Sequence, residues 1–241
     1  MFKIGSSEFE LEHGSFYAGF SDDRMNVRMC CEPENSFSWH LDINMQEGPL
    51  ITQSKNHEKD YDDDYDDEDD YNSDDSDDDY DDEDDCDDYE SVEPRLYHNN
   101  GFSLNVHSWK SVEGMSKVWE EEYNEDEEEA GCLYIFGHDP VTSGKIEFLK
   151  RKGTEFLVKW TGTANVYWDE EYDTDVPFEF EGWISFGGIL ACCDRISDRS
   201  ELEEAMKEFI NVDEFECVSE ESHEITGGRS YRWKYKPVED R

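Results

Sequence analysis

The chain has 241 residues and carries 66 Asp and Glu against 21 Lys and Arg, a formal net charge of −45. That balance argues against direct nucleic-acid binding and against attraction to anionic membranes, because both need clustered Lys and Arg. No apolar run approaches bilayer-spanning length, and the opening MFKIGSSEFE lacks the apolar core of a secretory signal. The expected compartment is therefore the cytoplasm.

Taken in order, the first alternating run is Met25, Val27 and Met29. The clearest half-buried strand follows, with Phe37, Trp39, Leu41, Ile43 and Met45 alternating against Ser38, His40, Asp42 and Asn44. Between Asp60 and Glu90, 22 of 31 residues are acidic and none is basic. This tract has no aliphatic residue, so it cannot bury enough apolar surface to offset chain entropy and is expected to be disordered when free. Fully extended at ~3.3 Å per residue it would span ~100 Å. Its carboxylates would then stand about 4.6 Å apart, inside the ~8 Å physiological screening length, which makes the tract a polyanion that attracts polycations.

Beyond the tract, Phe102, Leu104 and Val106 suggest a strand. Val112, Met115, Val118 and Trp119 suggest a short helix running into a second acidic loop at 120–129. Leu133 to Phe136, bounded by Gly131 and Gly137, reads as a buried strand. Ser143–Gly144–Lys145 reads as a turn. Ile146 and Phe148, then Phe156, Val158 and Trp160, then Phe178 and Phe180 continue the period-two pattern. A helix is expected over about Ser200 to Asn211, with Ser200 and Glu203 spaced as a capping box. The chain closes on Tyr231, Trp233 and Tyr235, alternating with Arg232, Lys234 and Lys236. Those cations are expected to neutralise carboxylates across the sheet or, alternatively, to dock the acidic tract.

The expected fold class is mainly β, with α+β as the variant: sandwich-like antiparallel sheets, one or two short helices and a disordered acidic insertion. Residues 1–241 are expected to form one β-rich domain interrupted by the Asp/Glu/Tyr-rich insertion at 58–91. Closure entropy grows only logarithmically with loop length, and the 50 residues before the tract are few for a core of their own.

The seven cysteines include two vicinal pairs, Cys30–Cys31 and Cys192–Cys193, and no CxxC. An odd count without a secretory signal favours reduced thiols, with Cys132 and Cys217 packed in the core. The histidines show no HExxH spacing, and nucleophile-elbow, Walker and dinucleotide motifs are absent. No catalytic residue, metal ligand or cofactor is therefore assigned. One ordered constellation stands out: Tyr167, Trp168, Asp169, Glu170, Glu171, Tyr172, Asp173 and Asp175, an acidic loop with aromatics between two strands. The alternating carboxylates superficially match a calcium loop, but the glycine of an EF-hand is missing. Rigid aromatics flanked by carboxylates suit a surface that engages Lys and Arg.

The leading expectation is a non-catalytic acidic protein that sequesters or inhibits a basic partner. Its concrete form is an immunity or inhibitor protein against a nuclease-like toxin or another nucleic-acid-acting enzyme. Tyr167 to Asp175 would supply specificity, and tract residues such as Asp62, Asp66, Asp70, Asp78, Asp82 and Asp88 would supply electrostatic steering. The alternatives are a low-affinity calcium-binding or cation-buffering protein and an enzyme with an unrecognised active site.

Overall fold

The computed structural model describes residues 1–22, 35–49, 91–98, 100–119, 130–135, 137–164, 176–225 and 228–238. The Met25–Met29 run, Cys30, Cys31, Cys86, the acidic tract and the loop at 120–129 lie outside these residues. What is described is mostly β, with one α-helix, as the alternating patterns imply. Two short strands open the chain, β1 (Phe2–Ile4) and β2 (Ser7–Phe9), followed by two long ones, β3 (Leu11–Ser21) and β4 (Ser36–Met45). Next come β5 (Gly48–Pro49), β6 (Ser91–Val92), β7 (Arg95–Tyr97), β8 (Ser116–Trp119) and β9 (Cys132–Tyr134). The longest strands are β10 (His138–Lys152), β11 (Glu155–Ala164) and β12 (Val176–Cys193). Helix α1 (Arg199–Met206) then leads to the hairpin of β13 (Phe215–Ile225) and β14 (Gly228–Pro237).

The ladders return on themselves. From β12 they run through β11, β10, β9, β7, β4 and β3, and β3 pairs with β12 again. Every pairing in this circuit is antiparallel except β3 with β12, which is parallel. The two-layer packing is thus made by one sheet folded into a closed circuit. β12 makes closure possible by changing neighbours along its 18 residues. Its first half pairs with β11 and β1, and its second half with β3 and β14. The changeover is a bulge between Phe186 and Ile189, where Gly188 has φ 97° and a Cβ would lie 1.9 Å from the Tyr235 carbonyl oxygen. Only glycine lets β14 come this close.

Inside, aromatic side chains pack across the interior in tilted, edge-on and stacked pairs, several of them between strands that share no ladder. Phe16 of β3 packs on Phe148 of β10 at a ring-centroid distance of 4.8 Å and on Phe156 of β11 at 5.6 Å. Trp39 of β4 stacks on Phe16 at 5.2 Å. This core draws on strands from both sides of the acidic tract. The wide rings explain how a chain with only 35% apolar residues fills its interior.

Several expectations are corrected. Val112 to Trp119 is a 3-10 turn (Trp109–Val112) followed by strand β8, not a helix. Gly114 at φ 82° breaks the turn, and Lys117 then pairs with Ile146. Phe102 makes only an isolated bridge with Trp39, and the Val106 N–H donates back to the Leu104 carbonyl at 2.8 Å, which curls the chain before a strand can extend. Ser143–Gly144–Lys145 lies inside β10 rather than in a turn. Helix α1 is capped by Asp198, whose Oδ1 accepts from the Ser200 and Glu201 N–H groups at 2.9 and 3.2 Å, so Ser200 is the second residue of the helix rather than its cap. Cys193 is buried, whereas Cys132, Cys192 and Cys217 are partly buried. Burial pushes the Cys193 thiol up to about 12 and raises Cys192 as well, which disfavours thiolate chemistry at this pair. No helix among the described residues is long and apolar enough to cross a membrane.

The end of the circuit where β3 turns away toward β4 is held by one buried carboxylate. Asp22 is fully buried. Its two oxygens accept from the backbone N–H groups of Asp194, Arg195 and Ile196 at 2.7, 2.8 and 2.6 Å. Arg195 completes the clasp, its Nε donating to the Asp22 carbonyl at 2.6 Å and its Nη2 to Asn35 at 3.3 Å.

Candidate functional site

The ladder registers place a defined set of strand ends at the opposite rim. Asn44 pairs with Arg95, Arg95 with Tyr134 and Tyr134 with His138. Farther round, Val141 pairs with Ala164 and Ala164 with Val176. Trp119, the last residue of β8, pairs with Gly144 three residues from Val141. Two acid-rich excursions, residues 50–90 and 165–175, leave from and return to this rim, whereas 120–129 leaves from the side of the circuit, between β8 and β9 along one edge of β10. Residues 50–90 are bracketed by β5 and β6, which pair with each other just beyond Met45 and Arg95. Residues 120–129 run from Trp119 to Ala130, beside Gly131, whose carbonyl accepts from the Val141 N–H at 3.0 Å. Residues 165–175 join the paired ends Ala164 and Val176.

Charge is therefore segregated. These three segments hold 36 of the 66 acidic residues and only two of the 21 bases, Lys55 and Lys59. The described body holds 25 acids and 16 bases, a milder excess of negative charge. The expected contact residues Tyr167, Trp168, Asp169, Glu170, Glu171, Tyr172, Asp173 and Asp175 lie outside the described residues. So do the steering residues Asp62, Asp66, Asp70, Asp78, Asp82 and Asp88. The structure locates the strand ends from which both sets depart.

A feature that no sequence motif signals sits at the base of the same rim. A groove of about 420 Å³ is lined by Glu12, Asn44, Glu93, Arg95, Tyr97, Tyr134 and His138, drawn from five strands and the Glu93–Pro94 link. Arg95 is neutralised on one side by a bidentate pair with Asp42 at 2.7 and 2.6 Å, and its guanidinium lies 4.9 Å from the Tyr97 ring centroid. The Tyr97 hydroxyl and His138 Nδ1 share a 2.5 Å hydrogen bond. Burial, followed by the neighbouring Cys132, pushes the Tyr97 phenol well above its ordinary range, so it stays a neutral hydrogen-bonding group. With Arg95 occupied by Asp42, Glu12 and Glu93 bring further carboxylates to a wall that also carries the Tyr97 and Tyr134 rings. That combination accommodates a cationic side chain. Such a site was hard to foresee because its members come from separate strands, each contributing one or two outward residues. The only local signal was the polar phase of β4.

Beside the groove, His40 stacks on Tyr17 at 4.9 Å with the planes 7° apart, and its Nε2 shares a 2.8 Å hydrogen bond with Ser38. Burial lowers the His40 pKa below the ordinary imidazole value. The unfolded chain thus binds a proton more readily than the fold does. The His40 contribution is complete above the ordinary value of about 6.5 and is lost as pH falls through the lowered folded pKa. Comparing the unfolding free energies of the parent and His40→Gln at pH 7.5 and 5.5 should show the gap between them narrowing at the lower pH. An equal gap at both would contradict this assignment.

Among the described residues no group of three or more His, Cys, Asp or Glu is arranged to hold a metal ion. Nor do the C-terminal cations neutralise their neighbours as expected. Register places Arg232 opposite Glu221 and Lys236 opposite Glu216, yet no ion pair joins them. No family model matches the chain, and neither a curated protein nor a solved structure matches it. The geometry itself defines the class: a closed β-circuit with a mildly acidic body and two acid-rich segments rooted at one rim.

Proposed function

We propose that this chain is a non-catalytic acidic binding protein that sequesters a basic protein partner at the acid-rich rim. The observation that supports this reading is the shared origin of residues 50–90 and 165–175, which together carry 28 acids and two bases. Dense like charge at one end of a molecule accelerates association with a cationic surface. The groove at the base of that rim adds fixed carboxylates and aromatic faces for one inserted Lys or Arg. The concrete form of the proposal is inhibition of a nucleic-acid-acting toxin or enzyme, whose cationic substrate groove this rim would cover.

Division of labour within the rim is testable by kinetics. The 58–91 segment contributes long-range attraction with little geometric specificity, so shortening it is expected to lower the association rate about tenfold or more at low salt and to flatten the salt dependence. The dissociation rate should stay within about twofold. Surface-binding kinetics against the captured partner at several salt concentrations reads both rates. Loss of binding at every salt concentration would contradict the assignment of the tract to steering.

A further inference from the structure

We propose that β13 is a docking edge that accepts an extended, Lys- or Arg-containing segment of a basic partner by strand addition. This rests on the reading of the chain as a binder of basic protein and names a second mode of contact, on a different part of the molecule.

Among the described residues most edges of the circuit strands are paired, and the free-edged β2, β5, β6 and β8 are only two to four residues long. β13 is different. It runs for 11 residues and, among the described residues, pairs with β14 alone. Natural sheets usually blunt such an edge by shortening it or by placing Lys on it, because a row of unpaired backbone N–H and C=O groups templates another strand. β13 carries the opposite sign: Glu216, Glu220, Glu221 and Glu224, with no Lys or Arg. Among the described residues Glu216 and Glu220 make no ion pair. Like charge along the edge repels a second copy of β13 and the acidic segments of the same chain, while a basic strand meets complementary charge.

The surroundings fit an edge kept open. From Glu220 to Ile225 every residue is exposed, so this part of the hairpin has no core behind either face. Two aliphatic side chains stand about half exposed on the strand, Val218 at 47% beside the bulge between Cys217 and Ser219 and Ile225 at 45%, available to the side chains of an added strand. Arg232, Lys234 and Lys236 of β14 do not cancel the attraction. An added strand would lie ~4.8 Å from β13 and about twice that from β14, beyond the ~8 Å screening length, so the nearer glutamates dominate.

The test uses the full chain, three synthetic 10-residue peptides and amide hydrogen exchange at about 0.15 M salt. One peptide alternates Lys with Val, one alternates Glu with Val, and the third is the Lys/Val peptide N-methylated at every second residue. The last keeps its charge but cannot complete a ladder. The expected result is at least tenfold slower exchange at alternate amides within Phe215–Ile225 with the Lys/Val peptide, and with neither of the others. Equal protection from the N-methylated peptide would reduce the effect to charge alone and overturn strand addition. Protection that falls only at Ala164 or Val176, or nowhere, would overturn the β13 assignment and leave rim binding intact. Conversely, β13 protection in a chain whose rim retains no basic partner would separate this inference from the function proposed above.

Discussion

Replacing Asp22 by Ala is expected to lower folding stability by about 3–5 kcal/mol, measured as a shift of the urea unfolding midpoint with an unchanged slope. The change removes the carboxylate that accepts from the N–H groups of Asp194, Arg195 and Ile196, the last of them buried. Asp22→Asn should recover little of this. One carboxylate oxygen serves Asp194 and the other serves both Arg195 and Ile196, so an amide presents N–H groups to at least one donor whichever way it turns. The loss should be felt as release of the connection between β12 and α1, because Asp22 ties the end of β3 to the residues that follow Cys193. A cost below about 1 kcal/mol for Asp22→Ala would mean that these amides find water, and that the clasp does not secure this end of the circuit.

The largest effect on binding is expected in the loop between β11 and β12. Converting Asp169, Glu170, Glu171, Asp173 and Asp175 to Asn or Gln, with Trp168→Ala, should weaken affinity for the basic partner at least 100-fold, mainly through faster dissociation. The loop holds five carboxylates and three aromatics within 11 residues, between strand ends that are paired, Ala164 with Val176. Anchoring at a closed hairpin base distinguishes it from the tract, whose much longer excursion is bracketed only by the two-residue strands β5 and β6. The urea unfolding midpoint should match that of the parent, so that lost binding is distinguished from lost folding. An unchanged dissociation rate would shift specificity away from this loop and toward the groove around Tyr97 and His138.

Much of the β architecture was legible in the sequence. Trp39, Leu41, Ile43 and Met45 are all buried in β4, and Phe156, Val158 and Trp160 in β11, as period-two alternation requires. β3 was passed over although Phe16, Ala18 and Phe20 alternate cleanly, because Tyr17 and the small residues Gly14 and Gly19 blur the contrast between its faces. The 112–119 region was misread because Val112, Met115 and Trp119 stand at helical spacing. Their burial comes instead from a tight turn and then a strand paired with β10. Circuit closure was not legible at all. It depends on β12 changing partners at Gly187–Gly188 and on one parallel ladder, both long-range features without a local pattern. The candidate site divides in the same way. Acidic segments are visible in composition, but the departure of 50–90 and 165–175 from one rim appears only once the registers are known.

The central claim is that this rim recognises a particular basic protein, and a paired capture from native cell lysate tests it most directly. Three baits would be compared at about 0.15 M and at higher salt: the full chain, a form with Lys59–Ser91 shortened, and the 165–175 loop variant. Polyion contacts weaken steeply with salt, whereas a fitted interface does not. The account predicts one stoichiometric basic protein, retained at both salt concentrations by the full chain and by the shortened form, and lost with the loop variant. A mixture of basic proteins that disappears with salt or with the tract would contradict it, and would leave a nonspecific polyanion in place of a binding protein.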